Sequence, residues 1–151
     1  MNINVVLVAT DGSEAAGKAF EFAVDMAASH AAKLIVLHVQ RRHGSDYLPA
    51  GLEETSFSAK ALGSEAEMFK NAASRLVSES AQHARGEGVA DVEELVVEGD
   101  PAIMIVEIAN NWNVDAIVIG SRGRAGLEHL MLGSVSHKVA HAAPCTCIIV
   151  R

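Results

Sequence analysis

Short, almost continuously apolar runs alternate along this chain with longer amphipathic ones, and that alternation restricts the fold more than any other property of the sequence. A strand that is apolar on both faces has to be covered on both, and a parallel sheet between two layers of helices does so. The runs are residues 3–9 (INVVLVA), 33–39 (KLIVLHV), 92–98 (VEELVVE), 115–119 (DAIVI) and 146–150 (TCIIV). Helices are expected between them at 13–30, 59–86, 101–111 and 132–142. Ser13 stands before Glu14 as an N-cap, Asp100 precedes Pro101 at the first helical position, and Gly86 and Gly88 stop the long second helix. Right-handed crossovers through these helices build an open, doubly wound α/β sheet. Met68, Phe69, Ala72, Leu76 and Val77 read as the packing stripe of the second helix.

The 151 residues, half of them apolar, suffice for a core without metal or disulfide support, so one domain over 1–151 is expected. Nineteen acidic against twelve basic side chains give a formal charge of −7. With no long basic stripe the chain is not expected to track nucleic acid, and any anion site must be local. Met1-Asn2-Ile3-Asn4 runs straight into a strand without the pattern of a secretory signal, and no apolar run reaches transmembrane length. A cytoplasmic protein without membrane insertion is the expectation. Cys145 and Cys147 are two apart in a strand, so they share a face and are poorly placed to bridge each other. Reduced thiols are the ordinary reading, and half of a CxC metal site the other. Residues 40–58 lack a regular period and follow a strand, which suits a functional lid or a disordered insert at the carboxyl edge of the sheet.

In open α/β sheets ligands bind beyond the carboxyl ends of the strands, where the chain order reverses. Here those ends read Ala9-Thr10-Asp11-Gly12, His38-Val39 and Ile119-Gly120-Ser121-Arg122-Gly123. Nine residues separate Gly123 from Gly133 and Ser134, which open a helix through Val135, Ser136 and Val139. Glycines between strand and helix let backbone amides close around a phosphate, and the unpaired amides of a helix start add to such an anion site. Ser134 and Ser136 offer hydroxyls, and Arg122 and Arg124 bring positive charge into an acidic chain. Singly each glycine reads as a turn, but the combination in this context favours phosphate. No Walker A lysine motif or GxGxxG pattern is present. Asp11 can accept hydrogen bonds from a ribose, adenine or metal-bound water, or it can cap the first helix. Val39 offers backbone groups and an apolar wall, which suits an adenine edge.

The segment VLVATDGSE at residues 6–14, with the GxxG, nine residues, GS arrangement, resembles the universal stress protein family, and the resemblance spans essentially the whole chain. It implies a three-layer, five-stranded parallel α/β fold of order 3-2-1-4-5, of the adenine nucleotide alpha hydrolase-like or Rossmann-like kind, in a homodimeric stress-response protein. It also implies membership of the ATP-binding branch, which uses this glycine motif. By position it implies adenosine near Ala9, Thr10, Asp11 and Val39, and phosphates near Gly120, Ser121, Arg122, Gly123, Gly133, Ser134, Val135 and Ser136, with Ile119 and Arg124 also among the nucleotide-binding residues. Ala9 departs from the proline frequent in the family, at a position that contributes mainly backbone.

The expected function is binding of ATP or AMP, with Mg²⁺ held mainly by a bound triphosphate, and regulation through the dimer or a protein partner of unknown identity. Residues 146–150 form an apolar strand at a sheet edge, whose unpaired backbone groups would be satisfied by a second copy around a two-fold axis. A slow Mg-dependent ATPase using Asp11 or His129 is the enzyme alternative, although no clear general base is apparent. A nucleotide-free dimeric interaction module with a vestigial loop is the third reading. His137 and His141 have i, i+4 spacing suited to zinc, but no third ligand accompanies them, and His38 and His43 read as structural or solvent-facing.

Overall fold

The computed structural model describes residues 1–42, 56–122 and 131–151, and for residues 56–62 the backbone alone. Strands β1 (Val5–Ala9), β2 (Lys33–Gln40), β3 (Val92–Glu98), β4 (Ala116–Gly120) and β5 (Thr146–Val150) alternate with helices α1 (Glu14–His30), α2 (Ser56–Gly86), α3 (Pro101–Asn111) and α4 (Ser134–Ala142). The strands form one sheet in the order β3-β2-β1-β4-β5. All four pairings are parallel, with Val5 opposite Lys33, Val6 opposite Ala116, Leu34 opposite Val92, and Ala116 opposite Thr146.

The period of two along each strand decides which layer a side chain joins. Val6 and Val8 of β1, Leu34 and Val36 of β2 and Val118 of β4 point to one face, where α1 supplies Ala19, Phe20, Ala23, Val24 and Ala27 and α2 supplies Val77 and Ala84. Their alternates Leu7, Ile35, Leu37, Ile117 and Ile119 point to the other face and meet Ala102, Ile105, Ile108 and Ala109 of α3 and Val139 of α4. Both faces are therefore sealed over the central strands, the condition that the continuous apolar runs demanded.

Helix limits follow the caps. Ser13 Oγ accepts from Ala16 N–H at 3.2 Å and Asp100 Oδ1 from Ile103 N–H at 3.1 Å, with Pro101 in the first turn. The carboxylate of Asp115 accepts from the N–H groups of Asn4 and Val5 at 2.7 and 3.0 Å, which ties the entry of β1 to that of β4. For that reason Asp115 stands before β4 instead of opening it, and the strand runs on to Gly120. The second helix starts at Ser56, three residues ahead of expectation, and the fourth at Ser134, after Gly133 as N-cap.

The stripe expected on α2 requires correction. Met68, Phe69 and Ala72 are exposed, and the buried positions are Ala73, Val77, Ala81 and Ala84, with Leu76 half-buried. Small alanines, with no large side chain to betray them, are what let this helix lie close on the sheet.

The central strands should dominate stability. Replacing Ile35, fully buried among α3 and α4, by Ala is expected to cost about 2–5 kcal/mol. Ile103→Ala, at a position 58 % exposed, should stay within about 0.5 kcal/mol. Chemical denaturation of both variants measures the contrast.

Candidate functional site

The parallel sheet brings every strand's carboxyl end to one edge, and β1 and β4 are neighbours there although far apart in sequence. The helix after β1 covers one face and the helix after β4 the other, so the crevice between them opens at this edge.

On the β1 side the chain turns sharply. Thr10 is buried; its N–H donates to Leu37 C=O at 2.8 Å, and its hydroxyl lies 3.4 Å from Gly12 N–H. Asp11 Oδ1 accepts from Ser13 N–H at 2.9 Å, while Ser13 itself caps α1. Asp11 thus shapes the turn without being the helix cap, and its half-exposed carboxylate stands at the crevice. The imidazole of His38 lies with Nδ1 2.8 Å from Thr10 C=O, so the ring carries its proton on Nδ1 to donate there. His38 is accordingly a brace between the ends of β2 and β1. Ala9 and Val39 both lean into the apolar layer beneath α3 and α4, which leaves Val39 as part of a wall.

On the β4 side Gly120 meets a constraint that sequence spacing did not reveal. A Cβ on it would lie 2.8–2.9 Å from backbone atoms of Ala15 and Ala16, so the first turn of α1 rests directly on the end of β4. Ser121 follows, and its C=O accepts from Gly133 N–H at 2.8 Å and from Ser136 Oγ–H at 3.0 Å. The buried Ser136 hydroxyl also lies 2.9 Å from Gly133 C=O. These bonds close the two ends of the glycine segment on each other. Ser136 is therefore an internal tie, and the first helical hydrogen bond of α4 runs from His137 N–H to Gly133 C=O at 3.0 Å. The N–H groups of Ser134, Val135 and Ser136 precede it and have no carbonyl four residues back within the helix, which is what an anion at a helix start requires.

The structure thus brings Ala9, Thr10, Asp11 and Val39 to one side of the crevice and Ile119, Gly120, Ser121, Arg122, Gly133, Ser134, Val135 and Ser136 to the other. Gly123 and Arg124 lie outside the described residues, as do His43 and His129. Arg122 Nε donates to Met131 C=O at 3.3 Å, which holds its guanidinium against the loop. Beside it opens a cleft of about 340 Å³ lined by Glu14, Ala15, Lys18, Ser121, Arg122, Met131, Leu132 and Arg151. Sequence reading did not single out Lys18 and Arg151. Their signal was position alone, four residues into α1 and one past β5.

Among the described residues no group of three His, Cys, Asp or Glu side chains is gathered as for a metal, and no helix is long and apolar enough to cross a membrane. Cys145 and Cys147 are free and face the layer beneath α3 and α4. Desolvation by burial pushes both thiols up from the ordinary cysteine value; the nearby Asp115 carboxylate adds to this for Cys145, and Cys145 itself does so for Cys147. Thiols raised in this way are poor nucleophiles.

Residues 2–151 match the model of the universal stress protein family. Universal stress protein YxiE of Bacillus subtilis is 35 % identical over 98 % of this chain and 99 % of its own. Among solved structures, universal stress protein UspA from Lactobacillus plantarum superimposes with a TM-score of 0.80 at 28 % identity, covering 100 % of this chain and 99 % of the other. A universal stress protein in complex with cAMP gives a TM-score of 0.73 at 28 % identity over 100 % and 99 % of the two chains. One from Archaeoglobus fulgidus in complex with dAMP gives 0.63 at 25 % identity over the whole of both.

The contact at Gly120 yields a prediction independent of any ligand. Gly120→Ala should lower unfolding stability by about 1–3 kcal/mol, since the obstructing atoms are backbone and cannot rotate away. Thermal or urea denaturation of nucleotide-free protein checks it, and unchanged stability would show that α1 can yield.

Proposed function

This chain belongs to the universal stress protein family, and we propose that it is a nucleotide-binding regulatory member whose 1–151 span acts as one domain in the cytoplasm. An adenine nucleotide, ATP or AMP, lies across the carboxyl edge of the sheet, and its occupancy biases a homodimer or the 40–58 connection toward a protein partner in the stress response. The observation that carries the reading is the juxtaposition at that edge: the start of α4 beside Ser121 and Arg122, one strand away from Thr10 and Asp11. Two similarly folded relatives in complex with cAMP and dAMP support it.

Each group suits its part of such a ligand. The amides opening α4 and the Arg122 guanidinium favour phosphate, Asp11 can accept from ribose hydroxyls, and Val39 gives an adenine an apolar wall. A triphosphate would bring Mg²⁺ held mainly by its own oxygens. The side chains nearest the crevice also hold its walls in place, as a binding site needs: Asp11 accepts from Ser13 N–H, His38 donates to Thr10 C=O, and Ser136 donates to Ser121 C=O.

The homodimer would form through β5, which lies at the end of the strand order. Val150 C=O accepts from Ser121 N–H at 2.7 Å, so Val150 directs its polar groups at β4 and Ile149 directs its own outward, along the open edge.

Calorimetry with ATP and AMP tests the binding reading. In Gly133→Val the side chain would press on Ser121 O, 3.3 Å from the Cβ position, and on Arg122 Cα at 3.4 Å. Loss of affinity for both nucleotides by about tenfold or more is expected, with the ligand-free melting point recorded alongside to exclude unfolding. Equal affinities in a folded variant would sink the assigned site. For the dimer, Ile149→Pro removes an outward N–H without touching the β4 ladder, and light scattering should report the monomer mass. An unchanged dimer mass would refute the β5 interface.

A further inference from the structure

The two edges of the sheet differ in chemistry. β5 reads TCIIV, without a charge, whereas β3 reads VEELVVE, and none of its seven residues is buried. Leu34 N–H donates to Asp91 C=O at 2.9 Å and Gly99 N–H to Gln40 C=O at 3.0 Å, so the odd-numbered residues from Asp91 to Gly99 direct their backbone polar groups at β2. By the alternation of a strand, Val92, Glu94, Val96 and Glu98 direct theirs outward. The bond from Arg85 Nη2 to Val92 C=O at 3.1 Å agrees with that parity and fills the first outward carbonyl. Among the described residues no hydrogen bond reaches the outward backbone groups of Glu94, Val96 and Glu98.

This edge is also acidic. Residues 91–100 contain Asp91, Glu93, Glu94, Glu98 and Asp100 and no lysine or arginine. Lys33 answers Asp91 and Glu93 at 3.5 and 3.3 Å, Arg85 answers Glu94 at 3.3 Å, and Asp100 caps α3. Glu98 is exposed and has no ion pair among the described residues. Arg41 and Arg42 follow β2 at that end, while residues 43–55 add Asp46, Glu53 and Glu54 and no lysine or arginine. Val92 and Val96 join the layer of α1 and α2, so Glu94 and Glu98 share that face, and Leu95 and Val97 lie on the other. A second copy paired antiparallel about a two-fold axis would set Glu94 opposite or diagonal to a glutamate of its twin, and like charges so placed are destabilising.

We propose that the β3 edge, from Glu94 to Glu98, takes an extended segment of another protein, with lysine or arginine at alternate positions, as an added strand. Cations on one face of that strand meet Glu94 and Glu98, and apolar side chains on its other face continue Leu95 and Val97. Its main chain supplies the donors and acceptors that the three outward residues await. The charges that keep a second copy off this edge are the ones that select a basic strand. The inference goes beyond the nucleotide reading and does not depend on it, since β3 is separated from β1 by β2.

The probe is a fluorescently labelled, end-capped Lys-Val-Lys-Val-Lys-Val-Lys peptide, followed by anisotropy at one fixed ionic strength with nucleotide-free protein. Wild type should bind it, with amide NMR shifts at Glu94, Val96 and Glu98. The same peptide N-methylated on its lysine backbone nitrogens keeps the charge and loses the donors, and a peptide with glutamate for lysine keeps the donors and reverses the charge. Neither should bind. Val96→Pro removes an outward N–H without touching the β2 ladder and should weaken the basic peptide by about tenfold or more, with the melting point recorded alongside. Glu98→Gln should weaken it roughly threefold, within the range of an exposed charge pair. Failure of the basic peptide to bind wild type, equal binding of the N-methylated peptide, or an unchanged affinity in folded Val96→Pro would overturn the added-strand site. A lower mass of Val96→Pro than of wild type in light scattering would overturn it too, by assigning the edge to a second copy. The peptide comparisons on wild type decide the question even where Val96→Pro does not fold.

Discussion

Everything in this molecule follows from burying both faces of a parallel sheet. Val6, Val8, Leu34, Val36 and Val118 go to one helical layer and Leu7, Ile35, Leu37, Ile117 and Ile119 to the other, with every one of them under 5 % exposed. Parallel strands oblige each connection to return along the sheet, so every loop that follows a strand emerges at the same edge. The candidate site is a consequence of that traffic. Thr10, Asp11, Ser121 and Arg122 meet because β1 and β4 are adjacent in the sheet and their following helices lie on opposite faces.

Close approach is the second theme, and it ties the core to the site. Gly120 lets the first turn of α1 sit on β4, while the Ser121 carbonyl gathers Gly133 N–H and the Ser136 hydroxyl from the start of α4. One short segment therefore sets the positions of two helix N-termini, each with its positive dipole end toward the crevice. Gly120 is thus fixed by packing alone, since its obstructing neighbours are backbone atoms of Ala15 and Ala16.

The polar side chains at this edge also serve the turn that carries them. The His38 ring donates from Nδ1 to Thr10 C=O and Asp11 accepts from Ser13 N–H, both in shaping the β1 turn. What these groups provide is a braced turn at the carboxyl edge of the sheet. The outward polar groups of Ile149 at the sheet edge supply a route by which such a frame could meet a second copy.

Much of this was legible in the amino-acid order. Strands 92–98 and 146–150 and helix 101–111 have the limits the pattern gave, because Asp100, Pro101 and the apolar runs act locally. The universal stress protein resemblance rested on two short motifs, at 6–14 and at 120–134, and needed no tertiary information. Other features were invisible for definite reasons. The α2 stripe was right at Val77 but misplaced onto Met68 and Phe69, because the rest of the buried face is Ala73, Ala81 and Ala84, which carry little hydrophobic signal. Asp115 looked like the start of a strand until its carboxylate was seen to hold Asn4 and Val5, more than a hundred residues away. Ser136 read as a phosphate donor until its hydroxyl was found on Ser121 C=O, and Lys18 and Arg151 had no motif to join them. The amino-acid order was enough for the alternation of strands and helices and for the family, since these depend mostly on residues near one another in the chain. Which polar groups are spent on the frame and which line the crevice came from the fold, because that depends on what distant parts of the chain bring within hydrogen-bonding reach.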